Sequence, residues 1–214
     1  MSVQKIILRS CLSTLAAIFI LLVFMVGMLV AVYPETMMNV AYNMGMEESS
    51  IWFAERSYKR HDKIDTIAFA TTVAIEENMY GKILSCGKKM ISDEEFEDYC
   101  DKKDEKNREK YGDDFYLTLG YYDQYIYAQV SVAQYKKGDK DGAVKRAVGS
   151  VDLEGEFLGN NAVVWLLLEA YANNDWTTID KLTDEMDNSK WNTDVDYTTI
   201  RDQIDSARPE NLKN

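Results

Sequence analysis

The stretch from Cys11 to Val32 contains no charged residue and constrains this chain more than any other feature. As an α-helix its 22 residues would be about 33 Å long, which is enough to cross the roughly 30 Å hydrocarbon core of a bilayer. Because every backbone polar group in lipid must be bonded within the segment, a single apolar span has to be helical. We therefore predict one transmembrane helix over residues 11–33.

The charges that flank this span predict its orientation. Lys5 and Arg9 precede it, whereas Glu35 is the first charged residue after it and the next base is Arg56. Cationic flanks stay on the cytoplasmic side of a membrane. Residues 1–10 are therefore expected to be a cytoplasmic tail, and the C-terminal domain is expected to be extracytoplasmic.

A cleaved signal peptide is the alternative for the same segment. Its apolar region usually has only about 7–15 residues and ends at a small-x-small cleavage site. Leu29-Val30-Ala31 is a poor cleavage site because it begins with leucine. We expect an uncleaved signal-anchor that makes a single-pass membrane protein.

The part of the chain beyond the span is strongly acidic. All 36 acidic residues follow the span but only 22 of the 24 basic ones do, which gives this part a net charge of −14. Such a domain repels nucleic acid, so no nucleic-acid partner is expected. About 180 residues are enough for one domain with a sizeable core.

Two cysteines lie in the outer part, and their state is left open by the sequence. Cys86 and Cys100 would form a disulfide if the outer part lies on the oxidising side and the geometry allows it, but two buried free thiols fit the sequence equally well. No zinc site is expected, because the chain has a single histidine, His61.

Helical patterns follow one another through the outer part, and no alternating strand pattern is present. Ser92–Glu95 is predicted to be a capping box that begins a charged helix ending near Tyr111. Asp113 and Asp114 are predicted to cap a long helix over 115–137, and Asn160 and Asn161 another over 162–172. A polar last helix over 194–207 would bury Val195, Ile200 and Ile204 on one stripe.

Four short segments share a helix-ending pattern: a large side chain, two variable residues, and then Gly or Asn. Gly and Asn tolerate the left-handed conformation that ends a helix. The turn positions are Gly45, Asn78, Gly138 and Asn174, at spacings of 33, 60 and 36 residues. Periods of 33 to 36 are typical of stacked helix–turn–helix units, and the longer interval is one period plus an insertion of roughly 26 residues.

The third segment and its continuation resemble the tetratricopeptide repeat family. Tyr135, Gly138, Asp139 and Ala143 match the aromatic, the Gly-Asp turn and the small residue of that family's turn, and the other three segments match less well. The family's proline at the end of each unit is absent. The resemblance covers about 35–186.

Together with the apolar span and the helical patterns, this resemblance implies an all-α protein in which a single N-terminal transmembrane helix precedes a tetratricopeptide-like solenoid of degenerate repeats. The predicted divisions after the span are 34–91 for repeats 1 and 2, 92–113 for an inserted charged helix, 114–190 for repeats 3 and 4, and 191–214 for a capping helix and tail. A generic α-solenoid or an irregular helical bundle is the alternative.

No catalytic arrangement is evident in the sequence, so an enzyme is not expected. Ser–His–Asp and Cys–His chemistry both need a histidine in a formed pocket, and His61 lies in a charged connector predicted to be exposed. No Gly-rich phosphate loop follows a strand. The pattern around Asp139 lacks the later ligands of a calcium loop, and no cofactor or metal is expected.

Tyrosines are concentrated in the predicted helix over 115–137, where six of them occur. Tyrosine is common in protein recognition, and the first helix of each tetratricopeptide unit lines the groove that binds partners. The resemblance therefore implies Tyr125, Tyr135, Lys136 and Tyr171 as partner-binding residues, although packing in the core is the alternative for each tyrosine.

Two functions remain open at this point. In the first, the chain is a non-enzymatic, membrane-anchored scaffold that binds a membrane or envelope protein outside the cytoplasm. In the second, it is an accessory subunit of a larger membrane complex, and the transmembrane helix itself forms part of the interface. Gly27 and Ala31 have the small-x-x-x-small spacing that such a helix contact uses.

Overall fold

A computed structural model describes residues 3–115, 120–151, 162–189, 191–192 and 195–212, with side chains from Leu12 onward and, in the last helix, from Tyr197 onward. Within these ranges the chain is all-helical, with eleven α-helices, a short 3-10 turn over Glu210–Leu212 and no strand. The helices are α1 (Val3–Val32), α2 (Pro34–Asn43), α3 (Glu47–His61), α4 (Ile64–Glu76), α5 (Tyr80–Ile91), α6 (Phe96–Tyr111), α7 (Tyr122–Lys136), α8 (Lys140–Gly149), α9 (Ala162–Ala172), α10 (Trp176–Asp187) and α11 (Val195–Ser206).

Helix α1 contains the predicted span. Its segment Leu12–Val32 is long and apolar enough to cross a membrane, and none of it is buried within the protein. The helix begins nine residues earlier, at Val3. A segment of this length and composition is compatible with a membrane span.

The chain divides into two compact units, Met1–Ala70 and Thr71–Asn214, and the division falls within α4. In the first unit α2 packs against α3, and the end of α1 contacts α2. Met38 and Ala41 of α2 and Ile51 and Ala54 of α3 are buried. A short turn at Gly45 joins these two helices.

In the second unit α7 is central and packs against α5, α6, α8 and α9. Helix α9 in turn packs against α8, α10 and α11, while α8 also packs against α10. The core between α7 and α11 is built from aliphatic and small side chains, including Val144, Leu166, Leu167, Leu182 and Met186, all of which are fully buried. Each helix of this core therefore packs against at least one other helix of the same core.

Helices α5 and α7 approach closely because α5 has a glycine at the contact. A Cβ on Gly87 would lie well inside van der Waals contact with Cγ2 of Val130 and 3.8 Å from Cγ2 of Thr71. Gly81, on the same helix, would meet nothing within 4 Å. The glycine at position 87 thus sets the distance between the two helices.

All four predicted turn residues have the left-handed conformation. Their φ angles are +67° at Gly45, +53° at Asn78, +90° at Gly138 and +54° at Asn174. In each turn the residue itself donates its N–H to the carbonyl three positions earlier, and the next residue donates to the carbonyl five positions earlier, at 2.8–3.1 Å. This is the Schellman motif, so the prediction that these residues end four helices is confirmed.

Two predicted helix starts are wrong. Ser92 does not cap α6: its hydroxyl donates to the carbonyl of Lys88 in the preceding helix, and α6 begins at Phe96 without a side-chain cap. Short side chains such as serine can bond backward to a carbonyl one turn earlier as readily as they cap forward. The predicted end of α6 at Tyr111 is confirmed.

The long helix predicted over 115–137 is also wrong at its start. Gly120 has a φ of +69°, and α7 begins at Tyr122, so Tyr121 precedes the helix and Tyr116 lies outside the described residues. The left-handed glycine interrupts the helical path. Asn160 and Asn161 also lie outside the described residues, whereas the last helix, α11, agrees with the prediction to within one residue at each end.

Candidate protein-binding surface

Two aspartates begin the second helices of the last two helix pairs. Asp139 accepts a hydrogen bond from the N–H of Gly142 at the start of α8. Asp175 accepts one from the N–H of Thr178 at the start of α10. Both aspartates directly follow a left-handed turn residue, and each one caps the helix that begins after its turn.

Asp175 also connects two helix pairs. The hydroxyl of Tyr135 donates to its Oδ2 over 3.0 Å, and the ammonium of Lys140 lies 2.7 Å from the same oxygen. Burial acts to raise the pKa of Asp175, but the hydrogen bonds from Lys140, Thr178 and Tyr135 outweigh burial and lower it. This carboxylate is therefore held ionised within a network of three donors.

Tyr135, predicted to bind a partner, is a packing residue. Only 7% of it is exposed, and its hydroxyl is engaged by Asp175. Burial, followed by the hydrogen bond to this carboxylate, raises the pKa of Tyr135 to about 12. Its side chain joins α7 to the turn before α10 rather than offering a surface to a partner.

Lys136 lies on the surface and spans three helices. Its ammonium forms an ion pair with Glu169 of α9 and lies 6.0 Å from the ring centroid of Tyr80 in α5. The hydrogen bond to Glu169 raises the pKa of Lys136. The cation is thus already satisfied within the protein, which reduces what it can offer to an acidic partner.

Tyr125 is partly buried on the accessible side of α7. Burial raises its pKa, and the nearby carboxylate of Glu76 in α4 raises it further. Val132, two turns further along α7, is also only partly buried. Both side chains therefore leave part of their surface accessible along α7.

Tyr171 belongs to an exposed apolar stripe along α9, made of Trp165, Leu168 and Tyr171. Their exposed fractions are 39%, 48% and 37%. The ring of Tyr171 packs edge-on against Trp176, with ring centroids 5.9 Å apart. Because the three residues recur every three positions, they lie on the same side of the helix.

The sequence analysis missed Trp165, because the sequence of α9 does not show which of its apolar residues are exposed. It precedes Leu168 by three positions, and the neighbouring apolar residues Val163, Val164, Leu166 and Leu167 are buried. An exposed tryptophan three positions from an exposed leucine is a common signature of a recognition surface.

Cys86 and Cys100 are both buried and carry free thiols. This corresponds to the second of the two alternatives left open by the sequence. Burial is the main cause that raises the pKa of Cys100, and the carboxylates of Asp123 and Asp104 add to it. A thiol with a raised pKa has little thiolate and reacts slowly.

Asp104 of α6 caps α7 from a neighbouring helix. The N–H of Tyr122 donates to its Oδ1 at 3.1 Å and to its Oδ2 at 3.3 Å. Burial raises the pKa of Asp104 to about 6, because only 8% of the residue is exposed and the N–H of Tyr122 offsets this cost only in part. The carboxylate lies at an open cleft of about 500 Å³ on α6.

This cleft is lined by side chains of both signs, among them Asp98, Asp101, Lys102 and Arg108. Across the described residues no group of three or more His, Cys, Asp or Glu side chains is placed to hold a metal ion. His61 is exposed, as predicted.

The chain matches no family model, no curated protein and no solved structure.

Proposed function

We propose that this protein is a membrane-anchored, tetratricopeptide-like scaffold that binds another protein and carries out no chemistry of its own. The observation that carries the proposal is the exposed apolar stripe Trp165, Leu168 and Tyr171 on α9. It lies on a helix whose opposite side is fully buried, so the stripe is held rigidly. Rigid, partly exposed aromatic anchors are typical of binding surfaces.

The repeated turns support the tetratricopeptide-like class. The same Schellman geometry recurs at Gly45, Asn78, Gly138 and Asn174, and a second helix follows each turn. In the second unit α7 contacts α8 and α9, and α9 contacts α10. First helices packing on first helices is the neighbour contact of stacked helix–turn–helix units.

Charge indicates the chemistry of the partner. Residues 71–214 carry 30 acidic and 18 basic side chains, whereas residues 1–70 carry six of each. Lys136, the cation beside the stripe, is neutralised by Glu169. A partner segment that combines apolar anchors with Lys or Arg would be steered to this surface, and an acidic one would be repelled.

The anchor in the proposal is α1. Its flanking charges predict a cytoplasmic N-terminus and extracytoplasmic helical units. The absence of buried side chains in Leu12–Val32 also favours the second candidate, an accessory subunit whose span contacts another membrane helix. A Cβ on Gly27 would meet nothing within 4 Å, which leaves that face of α1 open to such a contact.

Site-specific crosslinking in native membranes tests both candidates. A photoreactive residue at Trp165 or Leu168 of the full chain should crosslink a protein partner, and the same residue at Tyr111, which is 55% exposed on α6, should not. Trp165→Ser with Leu168→Ser should reduce the yield at least tenfold, because exposed anchors carry most of the binding energy.

A version with the order of residues 12–32 scrambled separates the candidates. Crosslinking from α9 that survives scrambling supports the scaffold. Loss of the partner after scrambling, with α9 still folded, assigns the interface to α1 and the protein to a larger complex. Equal yields from positions 165 and 111 would contradict the scaffold proposal.

A further inference from the structure

The last turn of α3 lies beside the end of the apolar span. The guanidinium of Arg60 donates through Nη1 to the carbonyl oxygen of Ala31. The ammonium of Lys63 lies 3.0 Å from Oε1 of Glu35, and the hydroxyl of Ser57 donates to the same oxygen at 3.4 Å. All five residues belong to the first compact unit.

These contacts fix the depth of the α3 end relative to α1. Ala31 is the last residue but one of the apolar segment Leu12–Val32. A span that ends there leaves the hydrocarbon at this residue, so its carbonyl lies at the level of the lipid headgroups. Tyr33, which is 58% exposed, follows at once and is of the residue type that favours this interface.

Charge along α3 is polarised toward the same end. Its first turn carries Glu47 and Glu48, and its last turn carries Lys59, Arg60 and His61. The helix has 15 residues and is therefore about 22 Å long. The acidic end thus lies well away from the end of the span, and the basic end lies next to it.

The acids near this end leave cationic groups available. Glu35 is engaged by Lys63, whose hydrogen bond is the main cause that lowers its pKa. Asp62 and Asp65 are exposed. Lys59 and Arg60 are also exposed, and a guanidinium has five N–H donors of which the carbonyl of Ala31 uses only Nη1.

We propose that the last turn of α3 binds the phosphate of an anionic lipid headgroup in the leaflet where α1 ends, with Lys59 and Arg60 as its donors. The site takes a lipid phosphate rather than a free one because the contact of Arg60 with Ala31 holds the last turn of α3 at headgroup depth. Arginine suits this role because its planar guanidinium can donate two parallel hydrogen bonds to two phosphate oxygens. The inference rests on α1 spanning a membrane, as in the proposed function.

Lipid selectivity of the full chain in nanodiscs tests this site. Electron paramagnetic resonance measures the share of spin-labelled phosphatidylglycerol or phosphatidylcholine that is immobilised next to the protein. A Lys5→Gln/Arg9→Gln background removes the cations at the other end of α1. In this background phosphatidylglycerol should be preferred at least about fivefold, since even one basic side chain near an anionic surface contributes about 1 kcal/mol.

Adding Lys59→Gln and Arg60→Gln should reduce this preference to about one, whereas Lys102→Gln with Lys103→Gln on α6 should leave it unchanged. Lys59→Gln alone, which keeps the contact of Arg60 with Ala31, should give an intermediate preference. Inorganic phosphate at a concentration on the order of 10 mM should not compete with a lipid held in the bilayer.

An unchanged preference after Lys59→Gln/Arg60→Gln would overturn the inference, and so would a preference abolished by inorganic phosphate, which would assign the site to a free anion. Failure of the chain to enter nanodiscs at all would instead contradict membrane anchoring and with it the proposed function. Entry without any preference between the two lipids would overturn only the lipid site.

Discussion

The two turns nearest the N-terminus and the two nearest the C-terminus have the same backbone conformation. Only the two nearest the C-terminus are followed by a side-chain cap. Gly45 and Asn78 form the same Schellman turns as Gly138 and Asn174. After the later turns an aspartate caps the second helix, whereas Met46 and Met79 occupy the corresponding positions and make no side-chain cap.

The backbone angles at these cap positions are nevertheless alike. Met46 has φ −111° and ψ 65°, and Asp175 has φ −91° and ψ 72°. The conformation therefore does not depend on the aspartate, because the left-handed residue before it already directs the chain. What the aspartate adds is stability and, at Asp175, a connection to Tyr135 of the previous helix pair. Asp175→Ala and Met46→Ser test this difference directly, and Gly87→Ala and Asp104→Asn test two other contacts between helices.

The largest effect is expected for Asp175→Ala. It removes the cap of α10, the acceptor of the Tyr135 hydroxyl and the partner of Lys140, and we expect a loss of about 2–3 kcal/mol in the free energy of unfolding. Urea unfolding of the full chain in detergent, followed by far-UV circular dichroism, measures this. Asp184→Ala, an exposed position of α10, is the control, and an equal loss from both variants would show that the network contributes nothing.

Gly87→Ala tests the contact that joins the second helix pair to the third. The new methyl would overlap Cγ2 of Val130, a stiff and fully buried side chain, so we expect a loss of about 1–2 kcal/mol in spite of the better helix propensity of alanine. Gly81→Ala on the same helix has open space and should gain about 0.5–1 kcal/mol. Thermal melts of both variants decide the matter, and a stabilised Gly87→Ala would show that α5 and α7 do not pack this closely.

Asp104→Asn tests the third kind of cap, which comes from a neighbouring helix. The folded-state pKa of Asp104, about 6, lies above the ordinary value, so the stability that protonation provides is present below about pH 4 and is lost as the pH rises through 6. Asp101 and Asp123 raise this pKa and Arg108 opposes them. Asparagine keeps an acceptor for the N–H of Tyr122 without the buried charge.

We therefore expect Asp104→Asn to be more stable than the native chain at pH 7.5 by about 1–2 kcal/mol, and the difference to vanish near pH 4. Urea titrations at four pH values measure it. Asp113→Asn, at an exposed position, provides the matched control. A difference that grows as the pH falls would have the wrong sign and would mean that the ionised carboxylate stabilises the fold.

The smallest effect is expected for Met46→Ser, which introduces the missing cap. Met46 is exposed and already has the backbone angles of a capped position, so a serine hydroxyl can accept from the first turn of α3 and should add about 0.5–1 kcal/mol. Met44→Ser, exposed but before the turn residue, should add nothing. If both changes have the same effect, it comes from the removal of methionine and not from a cap.

Local patterns were the reliable part of the sequence analysis. The positions Gly45, Asn78, Gly138 and Asn174 were correct because a helix end depends on residues within one turn of each other. The helix start predicted at Ser92 was wrong because a serine hydroxyl has two local hydrogen-bonding options. It can donate to a carbonyl of the preceding helix, as Ser92 does, or accept from an N–H of the next helix, and the local sequence does not distinguish the two. The start of α7 was missed because its cap, Asp104, lies 18 residues earlier.

The exposure of the candidate residues was predicted only in part. Lys136 and Tyr171 are exposed and Tyr125 is partly so, but Tyr135 is buried although it has the same residue type and helical phase as Tyr171. The two tyrosines end equivalent first helices. What differs is the neighbour: Tyr135 has the following helix pair and its Asp175 to pack against, whereas Tyr171 packs edge-on against Trp176 and remains open to solvent.

By itself, then, the sequence determined the apolar span, the helical class and the four left-handed turns, because hydrophobic length, periodicity and turn chemistry act over a few residues. The tertiary structure alone decided which tyrosines are covered, that Trp165 and Leu168 stand exposed together, that Asp104 caps α7, and that Arg60 lies against Ala31. Each of these depends on residues brought together across at least one intervening turn or helix, and the free energy of such contacts depends on packing that no local pattern specifies.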